Sequence, residues 1–463
     1  MPINSQHPLY VANRARWKRC RDCYEGEDAV KAAGTDYLPK IDPSQSDAEY
    51  QAYKKRASYY EAVARTVDGF VGAISRKPHH IHLPDSLAGL YTKATADQST
   101  LDDFIQRLCC ETLLMARGAI VVDIDDDSQL PYLAFYPAEA ILNWGQDWVT
   151  LLETIYVPDP QDPYQQGPCP RIRYMHLKNG RYVAEIWQQK PNPLGVDEWV
   201  MVSQAMPTKR GVALEQIPFF WLSTAGSGAA VAKPPLLGLM NSSLSHYRSA
   251  ADLEHGRHFT ALPTLYLSGI TDEDPVCVGA GAVIKLADPA AKAGYAEFTG
   301  QGLQSLETAL TTKEQQMAML GASIMAAGPK GVEAAETARI RISGENSLLL
   351  GVVSTIEQAL IAALNFAAAW VAPAQGAGDK VVIRLNRDFV DQQLDAQSLA
   401  GLLSAVQAGK LSLEDFLFAL QQAELLRPET DIEAEAEKLR SADKPGMGPG
   451  AVTAGRTLSE TAG

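Results

Sequence analysis

GLQSLETALTTKEQQMAMLGASIM, residues 302–325, sets Leu303, Leu306, Leu310, Met317, Leu320 and Ile324 at alternating steps of three and four, with Lys313 in the one remaining place. Apolar residues at that spacing share one face of a helix. A seam this close to a heptad suits a helix packed nearly parallel to other helices. At about 1.5 Å per residue the helix would run about 35 Å. Upstream, PPLLGLMNSSLSHYRSAADLEHGRHF (234–259) carries the same periodicity in Leu237, Met240, Leu244, Tyr247 and Ala251. A Gly/Pro-rich stretch, 261–300, separates the two. Downstream, Gly328-Pro329-Lys330-Gly331 forms a turn before a third long helical pattern, 333–371.

Working outward, residues 8–40 read as a short helix followed by loop. From Ser46 a helix is expected, with Tyr53, Ala57, Tyr60, Ala64, Val67, Val71 and Ile74 on one face and Pro78 as its end. A second helix is expected at 100–117, with Gly118 as its stop. The period then changes. Between 119 and 222, stretches such as RYVAEIWQQ (181–189) and EWVMVSQA (198–205) alternate, with turns at 158–170, 178–180 and 190–198. KVVIRLN (380–386) reads as a short strand, and Ser412 as the N-cap of a helix over 413–426. The Gly/Pro/Ser/Thr-rich tail, 441–463, reads as disordered. The class is α+β: helical parts flank a β-rich insert.

The chain of 463 residues has 46% hydrophobic residues, enough for a sizeable core. Its 41 basic and 55 acidic side chains leave a net charge of -14, which argues against tight, static nucleic-acid binding but permits transient contact. No secretory signal opens the sequence, which points to synthesis in a reducing cytoplasm. LLLGVVSTIEQALIAALNFAAAWV (348–371) is long enough to span a bilayer. Glu357, Gln358 and Asn365 interrupt it, so it reads as a buried or interface helix rather than a membrane span.

Four groups carry candidate chemistry. Asp123, Asp125, Asp126 and Asp127 form the densest carboxylate cluster; it is either a divalent-metal site of a nuclease or hydrolase, or a solvated turn without the glycine and distal glutamate of an EF-hand. His79, His80 and His82 follow Pro78 without a complete zinc set. Cys20-Arg21-Asp22-Cys23 is a CxxC, but it lies inside a helix with no second ligand pair. Cys109 and Cys110 have apolar neighbours and read as core. No phosphate-binding loop and no GxSxG, HExxH or GxGxxG in strand–helix context is present. No metal or cofactor is expected.

Several stretches together resemble tailed-phage portal proteins, in particular a family of portal-like proteins with an uncharacterised domain. They are DYLPKI (36–41), EYQAYKKRASYYEAVARTVDGFVGAISRKP (49–78), IPFFWLSTAG (217–226), PPLLGLMNSSLSHYRSAADLEHGRHFTALPTLYLSG (234–269), ETARIRISGENSLLLGVVSTIEQAL (336–360) and GKLSLEDFLFALQQAELLRPETDIEAEAEKLRS (409–441). The resemblance implies a wing over 1–222 with a β-rich part at 119–222, a first stem helix in 223–260, and a clip at 261–300. It further implies a second stem helix at 301–326, a tunnel loop at 327–333, a long wing helix and strand at 334–395, and a crown at 396–440. Gly328, Pro329, Lys330 and Gly331 would then face DNA. Leu303, Leu306, Leu310, Met317, Leu320, Met240, Leu244 and Tyr247 would form the stem and subunit interface.

The implied function is non-enzymatic. Such proteins form a homo-oligomeric ring, usually of twelve subunits, at one capsid vertex of the virion. The ring meets the major capsid protein, terminase and a head-tail adaptor, and passes double-stranded DNA. Packaging energy would come from a separate terminase ATPase. A metal-dependent hydrolase using Asp123–Asp127 and a membrane-associated assembly protein using 348–371 are the competing expectations.

Overall fold

Pro8 takes the first position of the first helix, where its missing N–H costs nothing. His7 caps that helix: its Nδ1 accepts the N–H of Leu9 at 3.1 Å. The structure is a computed structural model, and it describes residues 2–125, 130–158, 162, 164–191, 196–226, 230–260, 264–269, 290, 292–296, 302–322, 335–371, 380–389, 396–422, 425–426 and 430–442. The chain divides into two units, Met1–Phe389 and Val390–Gly463.

Helix α1 (Pro8–Glu25) buries Trp17, Cys20 and Cys23 and ends at Gly26, whose φ of 96° starts α2 (Glu27–Ala32). Helix α3 (Asp47–Arg56) opens with a capping box between Ser46 and Glu49. It stops at Ala57, and α4 (Ala62–Ile74) begins only five residues later. The single helix expected from Ser46 to Pro78 is therefore two. Tertiary bonds pull the joint open. The Tyr59 N–H donates to Glu27 Oε2 (2.9 Å), its hydroxyl donates to the Cys23 carbonyl (3.1 Å), and its ring meets Tyr247 edge-on. The buried face of α4 is Ala62, Val63, Thr66, Val67, Phe70 and Ile74, while Tyr60 stays half exposed.

After β1 (His80–His82) comes α5 (Leu101–Met115), capped by Thr100 and Asp103. It ends at Ala116, in the left-handed region at φ 57°, not at Gly118. Gly118 lies inside β2 (Arg117–Ile124), where a Cβ would come within 2.6 Å of the Phe135 ring. The glycine admits a close packing rather than stopping a helix.

Strand β3 (Pro131–Pro137) pairs with β2. Strands β4 (Ile141–Trp144), β5 (Trp148–Pro158), β6 (Gln166–Lys178), β7 (Arg181–Pro191) and β8 (Asp197–Ala205) form an antiparallel five-stranded meander in sequence order. Asn179 and Gly180, both at positive φ, make the β6–β7 turn that KNG announces. A small pair, β9 (Thr208–Lys209) and β10 (Val212–Ala213), follows. Then β11 (Phe219–Ser223) returns to β2, giving the order β11-β2-β3.

The helical hairpin comes next: α6 (Leu237–Thr260), β12 (Thr264–Ser268), β13 (Lys292–Ala296) and α7 (Leu303–Met317). Helix α8 (Ala335–Val371) buries Leu349, Val352, Val353, Ile356, Leu360, Ala363, Leu364 and Ala367 in the core of the first unit. Its stretch Ser347–Val371 is long and apolar enough to cross a bilayer, and half of the most apolar part is buried inside the chain. Strand β14 (Val382–Arg384) pairs with β1.

In the second unit, α9 (Ala396–Gln407), α10 (Leu413–Gln422) and α11 (Ile432–Ala442) are helical. Ser412 caps α10 by accepting the Asp415 N–H at 3.0 Å, and Arg440 of α11 reaches Glu414 of α10 at 2.6 Å. The fold is α+β. The tail beyond residue 442 lies outside the described residues.

Candidate functional site

The α6–α7 hairpin is built from the three-and-four periodicity of Leu237–Ala251 and Leu303–Leu320. Its two arms run antiparallel, and each step forward on α6 meets a step back on α7. A Cβ at Gly256 would touch Leu303 at 2.6 Å. Arg257 bridges Glu254 and Glu307, both at 2.8 Å. Lys313 donates to Ser249 Oγ (2.6 Å) and the Ser245 carbonyl (3.0 Å). His246 Nε2 lies 3.3 Å from Glu314, and a Cβ at Gly238 would meet a Leu320 methyl at 3.7 Å. The strand pair carries the same order beyond the helices, from Thr264 opposite Ala296 to Ser268 opposite Lys292. Among the described residues, α6, β12, β13 and α7 thus form one antiparallel arm, helical at its root and stranded further out.

The seam residues of α7 turn toward α6 to different extents. Leu303, Leu306 and Leu310 are half-buried, Met317 is buried, and Leu320 remains 48% exposed. Lys313, the polar residue in the seam, is absorbed by hydrogen bonds, and burial lowers its proton affinity. Met240, Leu244 and Tyr247 are buried within the chain itself. Alongside them α6 is tied to the N-terminal helices. Ser243 Oγ donates to the Tyr60 carbonyl (3.0 Å), Tyr53 donates to Asp252 (2.6 Å), and Arg19 donates to Asn241 (2.9 Å).

Helix α7 does not continue as an α-helix to residue 325. After Met317 the chain widens into a π-helical turn, 318–322. Gly321 allows it: a Cβ there would lie 2.7 Å from Thr66 Cγ2 of α4 and 2.9 Å from Leu239 Cδ2 of α6. The root of the hairpin is therefore packed backbone-close against α4. Gly328, Pro329, Lys330 and Gly331, and the other residues of 327–333, lie outside the described residues.

The carboxylate cluster is divided. Asp123 accepts from Arg173 Nη1 (2.6 Å) and from the Tyr132 hydroxyl (3.2 Å). Arg173 also holds Glu153 (2.8 Å), which Arg171 and Tyr136 engage as well. Burial pushes the Glu153 carboxyl up, but Arg173, Tyr136 and Arg171 outweigh it and hold the group below its ordinary range. This network joins β2 and β3 to the inner face of the five-stranded sheet. Asp125 borders a cavity of about 730 Å3 that Lys93, Thr95 and Tyr132 also line. Asp126 and Asp127 lie outside the described residues.

Other candidates disperse. His80 and His82 are exposed on β1, and His79 accepts the Asn386 N–H. Cys20, Cys23 and Cys109 are buried thiols, pushed up to about 12, about 11 and about 12 by burial. Among the described residues no three His, Cys, Asp or Glu side chains gather as a metal site.

Residues 235–371, which hold the hairpin and α8, match a family model described as a domain of unknown function, DUF4055. No curated protein matches the chain. Among solved structures, the chain is similar to a component of the virion of the native gene transfer agent particle, with 12% identity and a TM-score of 0.40, covering 83% of this chain and 94% of that one. It is similar to one from the neck of the empty particle with C6 symmetry (12%, TM-score 0.43, covering 85% and 98%). A third comes from the neck of the native particle with C12 symmetry (12%, TM-score 0.41, covering 78% and 89%).

Three functional-looking groups escaped the sequence. Arg117, fully buried, lies between the rings of Trp144 (4.4 Å) and Trp221 (4.1 Å), and burial lowers its affinity for the proton to about 10. Glu357, legible only as an interruption of an apolar run, reaches across from α8 to residues 385 and 387. The Glu153–Arg173 pair sits in alternating strands whose partners are set by register, so spacing alone could not announce it.

Proposed function

We propose that the chain is the subunit of a portal-type ring, a non-enzymatic structural protein that gives double-stranded DNA its passage at one vertex of a phage-like particle. The observation that carries this reading is the antiparallel arm of α6, β12, β13 and α7, clamped at its root into the N-terminal helices and stranded further out. That is the form a stem and clip require, and the order of the motifs in the sequence supports it. Helix α7 keeps a polar outer face with Gln304, Ser305, Thr308, Thr311, Thr312, Gln315 and Gln316 exposed, suited to a wet neighbour or channel. The partners are further copies of the chain in a ring of about twelve, the major capsid protein, terminase and a head-tail adaptor, with the clip, 261–300, as the docking element.

Lys330 is assigned to the DNA-facing loop. One lysine about 4 Å from a phosphate contributes only about 1 kcal/mol in water, which suits a surface past which DNA must move. The net charge of -14 limits adhesion elsewhere. The hydrolase reading gains nothing from Asp123, whose carboxylate is committed to Arg173 and Tyr132.

Light scattering followed by negative-stain imaging of the purified chain tests the proposal. A closed ring of about twelve copies with a central hole supports it. A chain that stays monomeric even with its capsid and scaffold partners supplied overturns it.

A further inference from the structure

Residues 385–388, the stretch after β14, are gripped from three sides. From α8, Glu357 Oε1 accepts the Leu385 N–H (2.8 Å) and Oε2 accepts from Arg387 Nη2 (2.6 Å). From the end of α4, the Ala73 carbonyl accepts from Asn386 Nδ2 (3.2 Å), and Arg76 (3.4 Å) and Lys77 (2.6 Å) reach the Asp388 carboxylate. The third grip is His79, whose Nδ1 accepts the backbone N–H of Asn386 at 3.2 Å. A backbone N–H can only donate, so Nδ1 carries its lone pair and the ring is neutral. Glu357 and Asn386 are 7% and 8% exposed, so bulk water does not readily replace a lost bond here.

We propose that His79 is a proton-operated latch on this stretch. Taking a proton at Nδ1, it releases the Asn386 N–H, and the imidazolium is drawn to the two carboxylates whose charge it senses, Asp102 in the first turn of α5 and Glu357 of α8. The cations around it are Arg76 and Lys77, which engage Asp388, and Arg387, which engages Glu357. When the imidazolium competes for Glu357, the bonds to Leu385 and Arg387 weaken as well, so one proton loosens two of the three grips. Burial lowers the ring's affinity for the proton, and the charges of Asp102 and Glu357 oppose that lowering only in part. The released stretch leads directly into the second unit, which begins at Val390.

The test is hydrogen–deuterium exchange on the full chain at about pH 7.5 and about pH 5.5, normalised for intrinsic exchange. The amides of 385–388 are expected to exchange on the order of tenfold faster at the lower pH. His79→Asn places an acceptor oxygen that takes no proton where Nδ1 stood, and its exchange should not change with pH. Glu357→Gln keeps an acceptor for Leu385 but removes the carboxylate, and the transition should move to lower pH. Equal protection of wild-type 385–388 at both pH values overturns the proposal, and so does an undiminished acceleration in His79→Asn.

Discussion

Lys313 Nζ sits 2.6 Å from Ser249 Oγ, so the one charged residue in the apolar seam of α7 is fastened to α6 across the hairpin. A second bond, to the Ser245 carbonyl at 3.0 Å, completes a polar clip in the middle of the two arms. Lys313→Ala removes a charged donor from both and should cost about 1–3 kcal/mol in denaturant unfolding. Ser249→Ala leaves the carbonyl bond in place and should cost less. The double variant should cost less than the two single changes combined, because they share one interaction.

Gly321→Ala drives a methyl group against Thr66 Cγ2 and Leu239 Cδ2. We expect a loss of about 1–3 kcal/mol from overpacking. Thr66→Ser removes the obstructing methyl while keeping the hydroxyl that donates to the Ala62 carbonyl. In the Gly321→Ala background it should recover part of the loss. A double-mutant cycle on thermal unfolding reads this directly, and strict additivity would show that the close approach is not what the glycine serves.

Glu153→Gln strips the negative centre from Arg173 and Arg171. Asp123 still holds Arg173, so the change removes one of that guanidinium's two carboxylates, and a loss of about 1–3 kcal/mol in unfolding free energy is expected. The native carboxyl is held below its ordinary range, so its contribution is present above the unfolded value and lost as pH falls through the folded one. The variant should therefore lack part of the wild type's acid sensitivity, as seen in unfolding midpoints measured across the acid range.

His7 caps α1 through an unprotonated Nδ1, and its ring stacks on Trp144 at 3.9 Å. Burial, helped by Arg117, lowers its proton affinity from 6.5. Its contribution is thus complete above the unfolded value and lost as pH falls through the folded one. His7→Asn retains a capping oxygen and should flatten the melting temperature over that window. A melting curve that falls with acid as steeply as in the wild type would remove His7 from the account.

Much of the hairpin could be read in advance because its chemistry is local. Leu237, Met240, Leu244, Tyr247 and Ala251 are all buried, as a period near 3.6 requires. The Asn179-Gly180 turn and the Ser412 cap were equally visible, since each depends on side chains within a few residues. What could not be read was decided at long range. The break at 57–61 contains no proline or glycine; it follows from Glu27 and Cys23, which lie far away in sequence and take Tyr59. Gly118 looked like a helix stop because glycine often is one, yet the reason for it is a phenylalanine on the neighbouring strand. The π-helical turn has no composition of its own and depends on how closely α4 and α6 approach Gly321.

The antiparallel arm also has a mechanical meaning. A pull on its outer end would run along both limbs at once and leave the rungs between them unsheared. The load would arrive where the limbs enter the core, at Gly238 on one side and at Gly321 against Thr66 on the other. Traction at the tip would thus be delivered to α4, a helix that never touches what is pulling.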